Sequence, residues 1–420
     1  MKKEQNVLER VCEPKRLLEA WRQVKQNAGA AGVDQMTVDG FEERKEQLFP
    51  LIYKNLKTGT YRFKPARRKE IPKRDGKVRK LGIPVVMDRI VAQSVHTVFD
   101  EIFDAGFTES NFGFRRGRSQ HQAIRHVQGL VEEGYRWCAS IDLKSFFDEI
   151  PHGLILKLIR RRIADEGLVT LVARALKAGV LVNGQFEKTE KGAPQGSPLS
   201  PMLSNIVLDE LDQELERRGL NYARWADDFV ILVGSKRAAE RVMASVIRYL
   251  ENELGLLVNR EKSKAARIDE VTFLGFQVRR SGKVMISPES FARFKDRVKN
   301  QTHRNNPKSM EAIVEELNRY LRGWGNYFKV QEDRTVFASL DHWVRQRLRS
   351  MQLAKWKKPK RFQKAMINAG IPQSHAERIW VAMTAWHSVH RPEVQRVLNT
   401  GWFRNMGLIF LSDYSPKPIS

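Results

Sequence analysis

Asp142, near the end of the run RWCASIDL, and the adjacent Asp227 and Asp228, inside NYARWADDFVILVG, are acidic residues whose setting could do chemistry. Carboxylates held on rigid strands about one small volume can bind metal ions that activate a hydroxyl and stabilise a leaving pyrophosphate, as nucleotidyl transfer requires. Two aspartates between strands can equally form a solvated turn. The surrounding sequence decides between these readings.

The elements that must position these groups are legible from alternation and turn chemistry. In RWCASIDL, Cys138, Ser140 and Asp142 fall on one strand face and Trp137, Ala139 and Ile141 on the other, so Asp142 lies near a strand end. β-Branched and aromatic residues on both sides of the acidic pair predict a hairpin turning there, and continued alternation predicts that Trp225 shares a face with Asp227. ARRKEIPKRDGKVRKLGIP reads as two basic strands around Asp75-Gly76, a dipeptide suited to a tight hairpin. A later hairpin is predicted over residues 271–286. Near the start, a helical pattern breaks at the small-residue loop 27–34. Beyond about residue 286 the chain becomes helical and basic, with Val344, Leu348 and Met351 as an apolar stripe and Arg345 and Arg349 pointing elsewhere.

A chain of 420 residues predicts two or three packed units, and 41% hydrophobic with 29% charged residues is globular composition. Lys and Arg number 74 against 49 Asp and Glu, a formal charge of +25. That excess repels itself unless a polyanion neutralises it, which makes nucleic acid the leading partner. Apolar runs fall far short of the roughly 18 residues of a spanning helix, and MKKEQNVLER lacks the apolar region of a signal peptide. The expectation is a soluble, cytoplasmic protein with no membrane partner. Cys12 and Cys138 read as reduced structural thiols, and the histidines form no zinc-binding pattern, so no structural metal is expected.

Several ordered words resemble the reverse transcriptases encoded by bacterial group II introns, over nearly the whole chain. SIDLKSFFDEI looks like motif A, KGAPQGSPLSPMLSNIVLDELD like motif B and YARWADDFVIL like motif C. LGIPVVMDRIVAQSV, NFGFRRGRS, LGLLVNREKSK and VTFLGF resemble the family's other blocks. The resemblance implies an α+β right-hand polymerase: fingers and palm with an antiparallel palm sheet over residues 1–285, a helical thumb or maturase domain over 286–363, and a small basic DNA-binding segment over 364–420. It implies RNA-directed DNA polymerase activity, with intron RNA and target DNA as further partners beside RNA template, DNA or RNA primer and dNTPs. No endonuclease domain is expected.

By the same resemblance, Asp142 and Asp227 bind two Mg²⁺ ions, with Mn²⁺ able to substitute, and Asp228 completes the cluster. Phe147 lies beneath the incoming sugar and excludes a 2′-hydroxyl, while Phe146 is core. Gln195 lies by the nascent base pair, with Gly196 allowing close backbone approach. Lys73 and Arg79 clamp the triphosphate, Ile83 packs on the templating base, and Lys262 faces the pyrophosphate. The loop 27–31, with Lys25, grips template RNA. Trp324, Tyr327 and Phe328 are core aromatics among the RNA-facing cations Arg319, Arg322 and Lys329. Two residues depart from the family pattern: Trp225 where Tyr is usual, expected to touch the primer end, and Ser197 where Gly is usual. They leave open a free-standing enzyme used in DNA repair or phage defence. A splicing cofactor that no longer polymerises is the remaining alternative, which intact Asp142, Asp227, Asp228 and Gln195 disfavour.

Overall fold

The computed structural model describes residues 3–72, 78–356, 359–368, 370–381 and 387–414. The chain forms two compact units, Met1–Phe273 and Leu274–Ser420. Ten strands are described: β1 (Ala66–Pro72), β2 (Val78–Ile83), β3 (Trp137–Asp142), β4 (Val180–Val182), β5 (Gln185–Glu187), β6 (Asn221–Trp225), β7 (Asp228–Val233), β8 (Lys264–Arg267), β9 (Phe276–Val278) and β10 (Val284–Ile286).

In the first unit, β6-β7-β3-β8 form an antiparallel sheet, as expected of the palm. Central β7 is covered on both faces, which explains why its run Phe229–Val233 is buried throughout instead of alternating. The amphipathic helix Lys236–Asn252 packs on β3, β7 and β8, and the helix Gln120–Glu132 on β6. A second sheet has the order β2-β1-β4-β5 and is antiparallel except where β1 meets β4. Both strands of the basic hairpin are therefore present. Its turn, with Asp75, Gly76 and Lys73, lies outside the described residues.

The helix Val86–Phe103 is largely buried and carries Asp88, whose carboxylate accepts hydrogen bonds from the Tyr61 hydroxyl and the Lys64 backbone N–H, each 2.8 Å. Burial pushes this carboxyl up to about 7. A native pKa above the unfolded value means the native state retains a proton that the unfolded state releases, so stability from this group is lost as pH rises toward and through 7. Wild type should therefore lose denaturant resistance relative to Asp88→Asn between pH 5 and pH 8. Parallel midpoints for the two proteins across that range would contradict the assignment.

In the second unit, β9 and β10 pair as a hairpin. Phe276 packs on Tyr327 and Phe328 at centroid distances of 5.7 and 4.9 Å, and Trp324 lies 4.4 Å from Phe294. The unit boundary falls between residues 273 and 274 because this aromatic packing joins the hairpin to the helix Met310–Phe328. The change in sequence character at 285/286 instead reflects the end of the strands. Trp324 and Phe328 are core residues and Tyr327 is half-buried.

The described part of the C-terminal tail folds back within this same unit. Asp341, on the helix Arg334–Lys355, accepts from the backbone N–H groups of Leu411 and Ser412 at 2.7 and 2.9 Å. Val344, Leu348 and Met351 are buried as the apolar stripe requires. Arg349, on another face, is only 4% exposed because the tail covers it, and its Nε donates to the Leu398 carbonyl at 2.8 Å.

Candidate active site

Asp142 and Asp228 are direct register partners across β3 and β7, and Trp225 and Asp228 across β6 and β7. Residues directly opposed in an antiparallel pair project to the same face. Asp142, Asp228 and Trp225 thus share one face. Asp227 does not continue that alternation: β6 stops at Trp225, and Ala226 and Asp227 form the turn, with Ala226 at φ 55°. Strand alternation, on which the expected common face of Trp225 and Asp227 rested, ends at Trp225, because Ala226 takes a positive φ and Asp227 lies in the turn.

The turn following the helix Lys236–Asn252 fixes Asp142. Asn259 Nδ2 donates to the Asp142 carboxylate at 3.0 Å, the Asn259 backbone N–H donates to the Asp142 carbonyl at 2.8 Å, and the Asp142 N–H donates to Ser263 Oγ at 3.0 Å. Lys262 is exposed on this same turn. Asn259 and Ser263 were not among the site residues expected from sequence, although they stand in the word NREKSK that drew attention to Lys262.

Ile83, Phe147 and Gln195 meet at a cleft of about 550 Å³, which the loop residues 27–30, Phe114 and Arg89 also line. Backbone contacts set their positions. The Gly82 N–H donates to the Gln195 carbonyl at 2.7 Å, and the Ala193 N–H to the Phe147 carbonyl at 2.7 Å. Gly196 has φ 113°, and a Cβ there would stand 2.2 Å from the Gly82 carbonyl oxygen, so only glycine permits this approach. Phe147 is half-buried, whereas Phe146 is 2% exposed.

The loop after the helix Pro14–Asn27 is ordered by arginines that sequence reading did not single out. Arg89 donates to the carbonyls of Pro84 (2.9 Å), Ala28 (3.5 Å) and Ala30, and Arg67 donates twice to the Ala31 carbonyl, at 3.1 and 2.6 Å. Lys25 is exposed and ion-paired with Glu42 at 3.3 Å, at the end of the helix and not on the cleft wall. Arg79 lies on β2, in register with Ile71.

Among the described residues, no three acidic, imidazole or thiolate side chains are gathered closely enough to hold an ion by themselves. The donor chemistry still fits. Carboxylates on facing strand ends, with another in the adjoining turn, offer hard oxygens to an ion that takes its remaining ligands from substrate phosphate and water.

An antiparallel sheet that presents carboxylates at adjacent strand ends, beside a cleft walled by a β-hairpin and a glycine turn, is the build of a metal-dependent nucleotidyltransferase. The family model for reverse transcriptase (RNA-dependent DNA polymerase) matches residues 71–278, and that for the group II intron, maturase-specific domain matches residues 291–367. The chain is 34% identical over 315 residues to protein YkfC of Escherichia coli (strain K12), covering 65% of this chain and 83% of YkfC. It is 30% identical over 335 residues to the group II intron-encoded protein LtrA of Lactococcus lactis subsp. cremoris, covering 63% of this chain and 55% of LtrA. Over 209 residues it is 32% identical to the retron Mx65 reverse transcriptase of Myxococcus xanthus, covering 47% of each.

The chain therefore belongs to the reverse transcriptase family, among the group II intron-encoded proteins and their like. It is an RNA-directed DNA polymerase with a maturase domain, the equipment of intron splicing and retromobility. Proteins of this family act on nucleic acid with divalent metal ions. No helix among the described residues is long and apolar enough to cross a membrane.

Proposed function

We propose that this enzyme extends a DNA or RNA primer with deoxynucleotides on an RNA template, using two Mg²⁺ ions held by Asp142, Asp227 and Asp228, in the cytoplasm of a bacterium. The carrying observation is the register of Asp142 with Asp228 at the strand ends, one residue from the turn that bears Asp227. The ions, when bound, lower the pKa of the primer hydroxyl and neutralise the charge of the departing pyrophosphate. The protein's own residues do the rest. Phe147 occupies the space a ribose 2′-hydroxyl would need, Gln195 borders the nascent pair, and Ile83 supports the templating base. Lys73 and Arg79 bind the triphosphate, Lys262 stabilises the leaving group, and Trp225 shares the carboxylate face, where it meets the primer end.

The loop 27–31 with Lys25 holds template RNA. The second unit, matched by the maturase-specific domain, binds the structured intron RNA, and its tail contacts target DNA. Extension of an annealed primer on an RNA template, with dNTPs and Mg²⁺, tests the reading. The expected result is full-length cDNA. Stable binding of the duplex without extension in either Mg²⁺ or Mn²⁺ would leave only the splicing-cofactor alternative.

A charge of +25 makes phosphate neutralisation the leading source of affinity. Each neutralised phosphate releases condensed counterion, so log affinity should fall linearly and steeply with log salt. Titration of template–primer binding between low and physiological salt measures that slope. A flat response would oppose a charge-dominated interface.

A further inference from the structure

The turn that carries Asp227 has an unusual support. Ala226 adopts φ 55°, which an L side chain rarely occupies, so its surroundings must hold it there. The Ala226 carbonyl accepts a hydrogen bond from Arg224 Nη1 at 3.1 Å. Arg224 is fully buried, as is Asp212 on the helix Ser200–Arg217. Arg224 Nε donates to both Asp212 carboxylate oxygens, at 2.8 and 3.0 Å, and Nη2 donates to Asp212 as well. A guanidinium is a planar fork. Two of its nitrogens are committed to Asp212, so the direction in which Nη1 meets Ala226 is fixed.

The same nitrogen also donates to Asn205 Oδ1 at 3.0 Å, and Asn205 Nδ2 donates to the Gly113 carbonyl at 2.8 Å. Gly113, in NFGF, abuts the turn from its other side: a Cβ on it would stand 2.3 Å from the Ala226 nitrogen. The segment is itself tied to β6, since the Phe112 N–H donates to the Arg224 carbonyl and the Arg224 N–H to the Ser110 carbonyl, both 2.9 Å. Ala226 is thus bounded by Arg224 and by Gly113, and Asn205 joins the two.

A buried ion pair is weak evidence for net stability, because desolvation offsets most of its attraction. Its geometry is better evidence for fixing a conformation. Resting on the assignment of Asp227 to the metal site, we infer that Arg224, Asn205 and Gly113 are positioning residues that set the Ala226–Asp227 turn and hence the placement of the Asp227 carboxylate relative to Asp142 and Asp228. None of them touches substrate. Motif B contributes to metal placement through Asn205 and Asp212 at the core, apart from any role of its Gln195 turn in the cleft.

The test uses the full chain in pre-steady-state incorporation of one nucleotide, with active sites counted from burst amplitude. Asn205→Ala leaves the Arg224–Asp212 pair intact and removes the link to Gly113. Arg224→Lys keeps a cation facing Asp212 but lacks the fork that also reaches Ala226. The rate per active site at saturating dNTP should fall roughly 10- to 100-fold, the size of effect expected when reacting groups are misplaced by about 1 Å. Half-saturation by dNTP and duplex affinity should stay within about twofold of wild type, while the Mg²⁺ concentration for half-maximal rate rises.

A purely structural role would lower burst amplitude and melting temperature and leave the rate per active site and the Mg²⁺ midpoint unchanged, which would overturn the inference. Gly113→Ala keeps every hydrogen-bonding side chain and presses on Ala226 from outside. It should give the same kinetic signature, and it decides the matter if the other variants do not fold. Wild type is run alongside: if it fails to extend primers, the metal-site reading is lost, whereas active wild type with kinetically normal variants removes the positioning role alone.

Discussion

Asp142→Asn should lower single-turnover primer extension by at least about 10³-fold, a loss of roughly 4 kcal/mol of transition-state stabilisation. The substitution keeps the side chain's shape and leaves an amide oxygen able to accept from Asn259 Nδ2, so the turn over residues 259–263 has reason to stay in place. What it removes is negative charge at a strand end facing Asp228. Template–primer affinity should change little, because the strongly basic chain can spread its phosphate contacts over many cations. Extension and duplex binding measured at one salt concentration separate the two effects. Near-normal extension would remove Asp142 from the metal site, and parallel loss of binding would point to misfolding instead.

Phe147→Ala should shift sugar selectivity, lowering the ratio of dNTP to rNTP efficiency by roughly 10²-fold or more as steric exclusion of the 2′-hydroxyl is lost. The backbone at this position is held independently of the ring, since the Ala193 N–H donates to the Phe147 carbonyl. A half-buried ring also leaves a smaller void than a core one. Phe146 supplies the contrast: it is 2% exposed, its ring is 5.5 Å from that of Phe147, and its truncation should cost about 3–5 kcal/mol of stability. Competition between dATP and ATP on one template, followed for wild type and both variants, reads selectivity directly. An unchanged ratio in Phe147→Ala would show that the ring is not the sugar filter.

The strand that bears Asp142 and the two that flank the turn at Asp227 were legible because their residues are β-branched and aromatic and because an acidic pair interrupts the latter two. Alternation failed at Ala226, where positive φ ends the strand one residue before Asp227. Gly113, which abuts that residue, comes from a segment distant in sequence. Ile83, Phe147 and Gln195 could be proposed as neighbours only through family resemblance, since the hydrogen bonds that join their segments connect separate elements.

Asn259 reaches Asp142 across 117 positions, and Arg89 reaches Ala30 across 59. Neither spacing leaves a periodic trace. Arg224 and Asp212 are close in sequence, yet a strand Arg and a helix Asp read as ordinary surface charges until the fold buries both. Near the C-terminus, Leu411 and Ser412 dock on Asp341 and the Leu398 carbonyl takes up Arg349, contacts over spans that leave no periodic trace either.

The loop over residues 28–31 is held through its main chain: Arg89 and Arg67 bind carbonyl oxygens, and no side chain of the loop takes part in those bonds. Its shape is consequently encoded elsewhere, in two arginines on neighbouring elements. Side chains at Ala30 and Ala31 can be rewritten with little penalty to the loop's path, whereas Ala28, at φ 51°, and Gly29, at φ 107° and where a Cβ would stand only 3.2 Å from Arg89, leave little room for change. For protein engineering this separates two usually entangled variables. Arg89 and Arg67 form a handle on whether the loop is ordered, and Ala30 and Ala31 are the positions at which its side chains can be varied apart from that order.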